Sequence, residues 1–585
     1  MHNVRNGLAF NPLGDLVNVA GGPIAILFGL SVTSNVLMLT GSVFMLQVYD
    51  RVLPSRSMPT LVALTAIAVA LYGFYALIEW VRARMAARLG GLIHERLAIA
   101  LFRAAIKQKL SSRLGLAADP IRDLDSLRQF ASGMGPISLL DLPWMPIYLV
   151  LAFMLHPLLG LMATLGAVVI CALLVVNELH SRKPAMATTV AASERSAHTD
   201  DARTNAESII AMGMLGAISA RWQQSAERLV ATQQRSADRS AFYTSATKGF
   251  RYLLQSAVLA VGAYLVIQGQ LTGGLMIACS ILTSRALAPV EQVVAHWRGF
   301  TGARQATTRI RQALEFAAVA PPKTDLPLPV NNVSVNNLVT GPDIRLPAVA
   351  AGVDFNLVAG DGMGIIGLSG SGKSSVARAL VGVWPILAGE VRLDGSERSH
   401  YDPERLGQTF GYLPQAVELF DGTIAENISH FQPEPDVNAV LRAANAARVH
   451  ELITSLPDGY DTRIGERGSI LSAGQRQRIG LARALFGDPF LIVLDEPNSN
   501  LDAEGDAALT EALMDARKRG AIVIVIAHRP SAVASVNKLL FMREGRQVLF
   551  GAKETVLRQI TQPPTVDERR KNDHENRGLE RPAAE

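Results

Sequence analysis

Four stretches of this 585-residue chain contain no charged side chain: Leu16 to Tyr49, Ser57 to Ile78, Leu142 to Asn177 and Tyr252 to Ser284. About 20 such residues suffice for a helix to cross a bilayer, and soluble cores rarely need uncharged helices of that length. Built as one helix at ~1.5 Å per residue, the run from Leu142 to Asn177 would measure on the order of 54 Å, against a hydrocarbon core of ~30 Å. It must fold back on itself. Turn residues stand where it can do so: His156 and Pro157 divide the third run, and "QGQLTGG", Gln268 to Gly274, divides the fourth. Six spans result, at about 24–48, 59–80, 137–155, 158–178, 250–268 and 274–297.

Composition agrees once it is located. Hydrophobic residues make up 49% of the chain and mean hydropathy is +0.22, with the excess falling before residue 300. Val81 to Pro136 carries ten Lys and Arg against four acids, and Leu179 to Lys248 nine against six, whereas the turns at 156 and 268 carry none. Positive charge stays on the cytosolic side, so both long segments are expected there. The net charge of +5 is accounted for by these flanking segments and calls for no nucleic acid. Both cysteines, Cys171 and Cys279, fall inside spans, so no disulfide framework is expected. The first apolar run is too long for a cleaved leader, and Arg5 is the one basic residue before it.

After Phe300 the pattern changes. "AVAPPKTDLPLPV" packs four prolines into a short stretch and reads as an extended linker. Short Val- and Ile-rich runs follow, "MGIIGL", "FLIVLDE" and "AIVIVIAH", separated by helical segments. That alternation predicts an α/β domain with a buried parallel sheet. The organisation expected is an N-terminal segment at 1–22, a membrane domain at 23–300, a linker at 301–327, an α/β domain at 328–558 and a disordered, charged tail at 559–585.

The chemistry lies in the second half. "GLSGSGKSS" comprises Gly367, Leu368, Ser369, Gly370, Ser371, Gly372, Lys373, Ser374 and Ser375, between a strand and a helical segment. It matches G-x-x-x-x-G-K-[ST] in the setting that motif needs. Glycines let backbone N–H groups converge on phosphate oxygens, and the positive end of the next helix adds to the attraction. Lys373 would reach the terminal phosphates of a nucleotide and the Ser374 hydroxyl would bind Mg²⁺. Asp495 ends the apolar strand of "LIVLDEP", where a metal ligand belongs in such folds. Glu496 beside it is the candidate general base for an attacking water. His528 ends a further apolar strand, as either a structural histidine or a γ-phosphate sensor. Gln415 in "GYLPQ" also follows a strand, from where its amide would reach Mg²⁺ and a moving neighbour.

Phosphate loop, Gln415, "LSAGQ" (Leu471 to Gln475), "LIVLDE", "SNLD" (Ser499 to Asp502) and His528 occur in the order and spacing of an ABC transporter ATPase domain, and the chain resembles that family over essentially its whole length. Six spans before one such domain is the half-transporter layout. The resemblance implies an α-helical six-span transmembrane domain of the ABC exporter type I class followed by an α/β P-loop ATPase domain, with ATP and Mg²⁺ as ligands. "LSAGQ" looks like the signature motif, with Ala473 where the family usually has Gly. In the family, two ATPase domains meet head to tail, and the signature of one covers the nucleotide on the phosphate loop of the other. Ser472, Gly474 and Gln475 would thus act in trans at a helix N-terminus, and a homodimer is implied. Motion would pass to the spans near Leu116 to Asp125 and Ala206 to Leu215; amphipathic packing helices are the competing account of both. The family's adenine-stacking aromatic is missing from "NNLVTGPDIR", leaving Val339 or Pro342 to pack on the ring.

"MLQVYDRVLPSRS", "DLPWMPIYL" and "LDEPNSNLDAEG" resemble the type I secretion branch, in particular exporters of alkaline metalloproteases and calcium-binding repeat proteins. The resemblance implies a multi-pass protein of the bacterial inner membrane with a cytosolic ATPase domain. Its partners would be a periplasmic membrane-fusion adaptor, an outer-membrane channel and an unfolded secreted polypeptide. An exporter of lipid or small amphiphiles is the alternative, and an ATP-gated channel a third. Asp141, Arg285 and Glu291 lie in or beside spans, where charge is costly without water or a partner, and are candidate contacts for the passenger. Arg285 is the deepest.

Overall fold

The computed structural model describes residues 12–111, 119–318, 326–501, 503–527 and 533–561. It divides into two units, Met1–Val319 and Ala320–Glu585.

The first unit is helical. Its elements are α1 (Pro12–Met38), α2 (Thr40–Gln47), a π-helical turn (Val48–Val52), α3 (Leu53–Ser55), α4 (Met58–Ser111), α5 (Pro120–Ala131), α6 (Met134–Asp141) and α7 (Trp144–Leu155). After these come α8 (Pro157–Thr204), α9 (Ala206–Ala211), α10 (Leu215–Ile267), α11 (Gly273–Ala295) and α12 (Trp297–Ala318). Among the described residues, five helical segments are long and apolar enough to cross a membrane, and α6 with α7, bent by 41°, makes a sixth. The fold-back at His156 is capped, its imidazole accepting from the Leu158 N–H. The turn at 268–272 ends on Thr272, whose hydroxyl caps α11 through the Leu275 N–H. Helices α4, α8 and α10 run for 54, 48 and 53 residues, far beyond the ~20 that a bilayer holds. The charged segments between spans are thus continuations of the spanning helices.

Two expectations need correction. The third span is broken: Pro143 can offer no N–H to the Leu139 carbonyl one turn back, so the helix stops at Asp141 and restarts at Trp144. Residues 301–318, placed in a linker, are the body of α12. Ala303, Ala306, Ile310, Ala313 and Leu314 are buried at helical spacing, and the prolines that suggested extension all come later, from Pro321 on.

The unit holds charge inside it. Arg82 of α4 is 2% exposed, and its Nη2 donates to both carboxylate oxygens of Asp141 at the break, at 2.8 and 2.9 Å. It also pairs with Glu79 and reaches the Ser31 and Ser34 hydroxyls of α1. Asn35 donates to Asp141 at 2.9 Å and accepts from the Tyr148 hydroxyl. Elsewhere Arg251 pairs with Glu291 at 2.8 Å, and Glu178 accepts from Trp297 and Arg304. In the π turn, Asp50 accepts from the Thr272 hydroxyl at 2.6 Å and the Gly274 N–H at 2.9 Å, fastening the turn between the first two spans to the start of α11.

The second unit is a ten-stranded sheet between helices. In chain order its strands are β1 (Asn332–Thr340), β2 (Ala350–Val358), β3 (Gly362–Gly367), β4 (Ile386–Leu393), β5 (Ser396–Glu397), β6 (Phe410–Leu413), β7 (Leu491–Asp495), β8 (Ile522–Ile526), β9 (Lys538–Arg543) and β10 (Arg546–Ala552). Their order is β5-β4-β1-β2-β10-β9-β3-β8-β7-β6. Strands β9, β3, β8, β7 and β6 run parallel. Every residue of β7 and β8 is buried, as their unbroken apolar runs require. One face packs on α13 (Lys373–Leu380) and the other on α14–α17's neighbour α18 (Ala473–Leu485) and α19 (Ala503–Lys518), where α14 is Pro403–Gly407, α15 Ile424–Ile428, α16 Val437–Ala446 and α17 His450–Thr454. A last helix, α20, covers Lys553–Thr561, and most of the segment expected as a tail lies outside the described residues.

The edge strand β6 meets α18 through bare backbone. A Cβ on Gly411 would stand 1.9 Å from the Ala484 carbonyl oxygen, so any side chain must push strand and helix apart. Gly411→Ala should cost about 1–3 kcal/mol and lower the thermal midpoint of the full-length protein by several degrees. An unchanged midpoint in differential scanning calorimetry would show that the contact yields freely.

Candidate functional site

The parallel strands end side by side, so the loops after β3, β7 and β6 share one edge of the sheet. After β3 the chain turns at Gly367, where a Cβ would lie 2.2 Å from the Met542 carbonyl and φ is +153°. Only glycine fits. The loop then enters α13, with Gly372 as its N-cap and Lys373 as its first residue. Lys373 is 5% exposed, and its ammonium donates to the Gly367 and Leu368 carbonyls at 2.9 and 2.7 Å. Burial holds its pKa below the usual lysine range, opposed by the charges of Glu496 and Asp495.

Asp495 closes β7 at 1% exposure. One carboxylate oxygen accepts from the Ser374 hydroxyl at 3.0 Å; the other is buried with no hydrogen-bond partner among the described residues. Burial raises its pKa, the Ser374 bond and the charges of Arg378 and Lys373 working against that and Glu496 reinforcing it. A buried, half-satisfied carboxylate beside a serine hydroxyl at the mouth of a phosphate-type loop is the donor set that suits Mg²⁺, a hard cation that takes oxygen ligands. The residues fit the ion.

Glu496 follows with φ +52°, a left-handed conformation that costs a non-glycine residue on the order of 1–3 kcal/mol. Its N–H donates to Ile526 of the neighbouring strand at 3.1 Å. The turn sets the side chain against Gln415, whose amide donates to it at 3.2 Å. Sequence reasoning placed Gln415 with both the catalytic groups and the metal ligands; its bond here is to Glu496, because both stand just past the ends of the paired strands β6 and β7. Ser374 and Asp495 do meet.

"LSAGQ" begins α18. Ser472 and Gln475 form a reciprocal cap, Ser472 accepting from the Gln475 N–H at 3.3 Å and the Gln475 side chain accepting from the Ser472 N–H at 2.8 Å. Ser472 and Ala473 are exposed, so this helix start faces outwards. His528 and Asp502 lie outside the described residues.

One residue of the site escaped sequence reasoning. Gln477, 3% exposed on α18, donates to the Pro497 carbonyl and accepts from the Asn500 N–H at 3.2 Å, bracing the turn after Glu496. A glutamine five positions past a helix cap carries no signal of that kind, since its partners are backbone groups some twenty residues away.

Comparison with known proteins agrees with this geometry. The model of the ABC transporter transmembrane region matches residues 24–289, and that of the ABC transporter matches residues 350–499. The type I secretion system ATP-binding protein PrsD of Rhizobium meliloti (strain 1021) is 48% identical over 534 residues, which is 91% of this chain and 92% of PrsD. The leukotoxin translocation ATP-binding protein LktB of Mannheimia haemolytica is 28% identical over 538 residues, 90% of this chain and 75% of LktB. A solved bacterial Atm1-family ABC exporter with ATP bound shares the fold, with a TM-score of 0.80 at 24% identity over 92% of this chain and 97% of that one.

Removing the Gln477 brace strands buried backbone groups, at about 1–3 kcal/mol. Gln477→Ala should therefore lower the thermal midpoint and cut ATP turnover more than it weakens ATP binding, because Glu496 loses its support. Isothermal titration with ATP alongside a phosphate-release assay separates the two, and equal losses in both would count against a bracing role.

Proposed function

The chain belongs to the ABC transporter family, among the half-transporters of type I secretion, and from that premise we propose that two copies pair to hydrolyse ATP and drive an unfolded polypeptide across the bacterial inner membrane. Nucleotide binding and ATP hydrolysis coupled to transport come with the family. The passenger is a protease or calcium-binding repeat protein with a C-terminal signal, handed to a periplasmic adaptor and an outer-membrane channel. PrsD is a type I secretion protein by name and LktB a leukotoxin translocator by name, which supports polypeptide over lipid as cargo.

One observation carries the catalytic reading: Asp495, held by Ser374, and Glu496, held by Gln415, stand consecutively at the end of one strand. Asp495 and Ser374 would hold Mg²⁺, with Gln415, bound here to Glu496, as a further ligand in this proposal. When bound, the ion offsets negative charge on the phosphates. Gly367 to Ser375 bind the phosphates through backbone N–H groups, and Lys373 exchanges its two loop carbonyls for phosphate oxygens. Glu496 accepts the proton of the attacking water, with Gln415 fixing its carboxylate. His528, which lies outside the described residues, is assigned the sensing of the γ-phosphate as part of this proposal.

The covering group comes from the second copy. The exposed start of α18 presents Ser472, Gly474 and the positive end of a helix to the other protomer's nucleotide. Gln475 is committed to capping that start, so its part is to shape it. Each half-site is incomplete alone, which makes hydrolysis depend on dimer closure and lets its release drive the spans.

Glu496→Gln should bind ATP yet turn it over about 100-fold more slowly or worse, the size of a general-base contribution, and should accumulate as a closed dimer on size-exclusion chromatography. Turnover near normal would remove Glu496 from that role. Lys373→Ala should lose ATP affinity in equilibrium dialysis and stop secretion. A mutant that still secretes would overturn the phosphate-loop argument. Comparing secreted proteins of gene-deleted and wild-type cells by mass spectrometry identifies the passenger, and an unchanged secretome would defeat the polypeptide reading.

A further inference from the structure

The charges inside the membrane unit do not balance where they touch. Glu79 and Asp141 both bind Arg82, leaving one negative charge over in a place where uncompensated charge is costly. The polar groups around the cluster are already engaged: Ser34 donates to Glu79 at 2.5 Å, Asn35 to Asp141 at 2.9 Å and Tyr148 to the Asn35 carbonyl at 2.7 Å.

A further cation, Arg285, stands on α11. It touches α1 at Met38, one helical turn from Asn35, which donates to Asp141. Yet Arg285 is bound to neither carboxylate. Its guanidinium contacts the Met38 thioether at 3.8 Å, and no described carboxylate forms an ion pair with it. Glu291, the acid on the same helix, is taken by Arg251 at 2.8 Å. Arg285 is half-buried, so part of its fork stays open.

Depth narrows what can meet it. Twelve residues separate Gly273, where α11 starts, from Arg285, which is ~18 Å along a helix and near the middle of a ~30 Å hydrocarbon core. Lipid phosphates lie at the two surfaces. A guanidinium stays charged throughout the accessible pH range and presents parallel N–H groups that match a carboxylate.

We propose that Arg285 is a binding subsite for the acidic side chains of the polypeptide in transit, with the Glu79–Arg82–Asp141 cluster as its resting counter-charge. This rests on the export reading given above. Between passengers the surplus negative charge of the cluster balances Arg285 at a distance. When a Glu or Asp of the passenger arrives, Arg285 binds it without first breaking a direct ion pair, and releases it as the next one comes. Asp141 and Glu291, singled out from the sequence alongside Arg285, are engaged by Arg82 and Arg251 and serve as structural partners.

The test uses full-length protein in lipid nanodiscs and fluorescent 20-residue Gly/Ser peptides carrying four Glu, four Gln or four Lys, with affinity read by anisotropy. Wild type should bind the Glu peptide more tightly than the Gln peptide. Arg285→Gln should erase that preference, weakening the Glu peptide roughly tenfold, the scale of one part-desolvated ion pair, and Arg285→Lys should keep most of it. Arg285→Gln leaves the cluster's surplus charge unbalanced, so its thermal midpoint is measured as well. If the protein does not fold, Glu79→Gln with Arg285→Gln restores neutrality and must also lack the preference. A Glu preference that survives in either variant overturns the subsite, as does a wild type that binds Glu and Gln peptides equally, and both leave polypeptide export standing. Failure of every peptide to bind, with lipid alone stimulating ATP hydrolysis, overturns the subsite and the export reading together.

Discussion

A carboxylate sunk at the end of an apolar strand governs the ATPase unit. Asp495 sits where four buried residues have already excluded water, and it keeps one oxygen with no partner among the described residues. Folding would be easier with an asparagine or an apolar side chain there, since an ionised group in such a place carries a heavy desolvation cost. The neighbourhood makes sense as the surroundings of that group. Ser374 is brought to it by the loop after β3, Glu496 is turned away from it by a left-handed backbone, and Gln477 ties down the chain that leaves it. Parallel pairing of β3, β8, β7 and β6 puts these parts on one edge, and two apolar layers keep them in register.

The membrane unit meets the same problem with a different answer. There the costly group is Arg82, and satisfaction is nearly complete: two carboxylates, two serine hydroxyls and, one step out, an asparagine and a tyrosine. Three spans contribute, so the cluster fixes their mutual placement as apolar contact alone would not, because apolar side chains slide past one another at little cost whereas charge-assisted hydrogen bonds to several partners are directional. It also anchors the broken third span. Pro143 interrupts the helix, and Arg82 holds Asp141 at the interruption.

Legibility followed the range of the physics. Spans were visible because the absence of charge over 20 residues is a local property, and their turns because proline and glycine act on their own neighbours. The phosphate loop and the Asp495–Glu496 pair were visible since strand, loop and helix supply their setting within a few residues. What could not be read was pairing across distance. Arg82 stood in a run of basic residues and looked like one more flanking charge, and its partners lie three residues before it, 59 after it and on another span. The bond from Gln415 to Glu496, 81 residues on, is of the same long-range kind. The prolines near residue 321 drew the linker too far back, over a helix whose buried stripe of alanines carries little hydrophobic signal. His528 falls outside the described residues.

Asp50 ties two separate turns of the membrane unit together. Its carboxylate gathers a hydroxyl and a backbone amide from the start of α11, and hydrogen bonds to a charged group are each worth about 1.5–3 kcal/mol. A protein that threads polypeptides through a barrier meant to retain ions must not leak while idle. A clasp of two hydrogen bonds between separate turns is one local means to that end, since it draws the turns together without a covalent link.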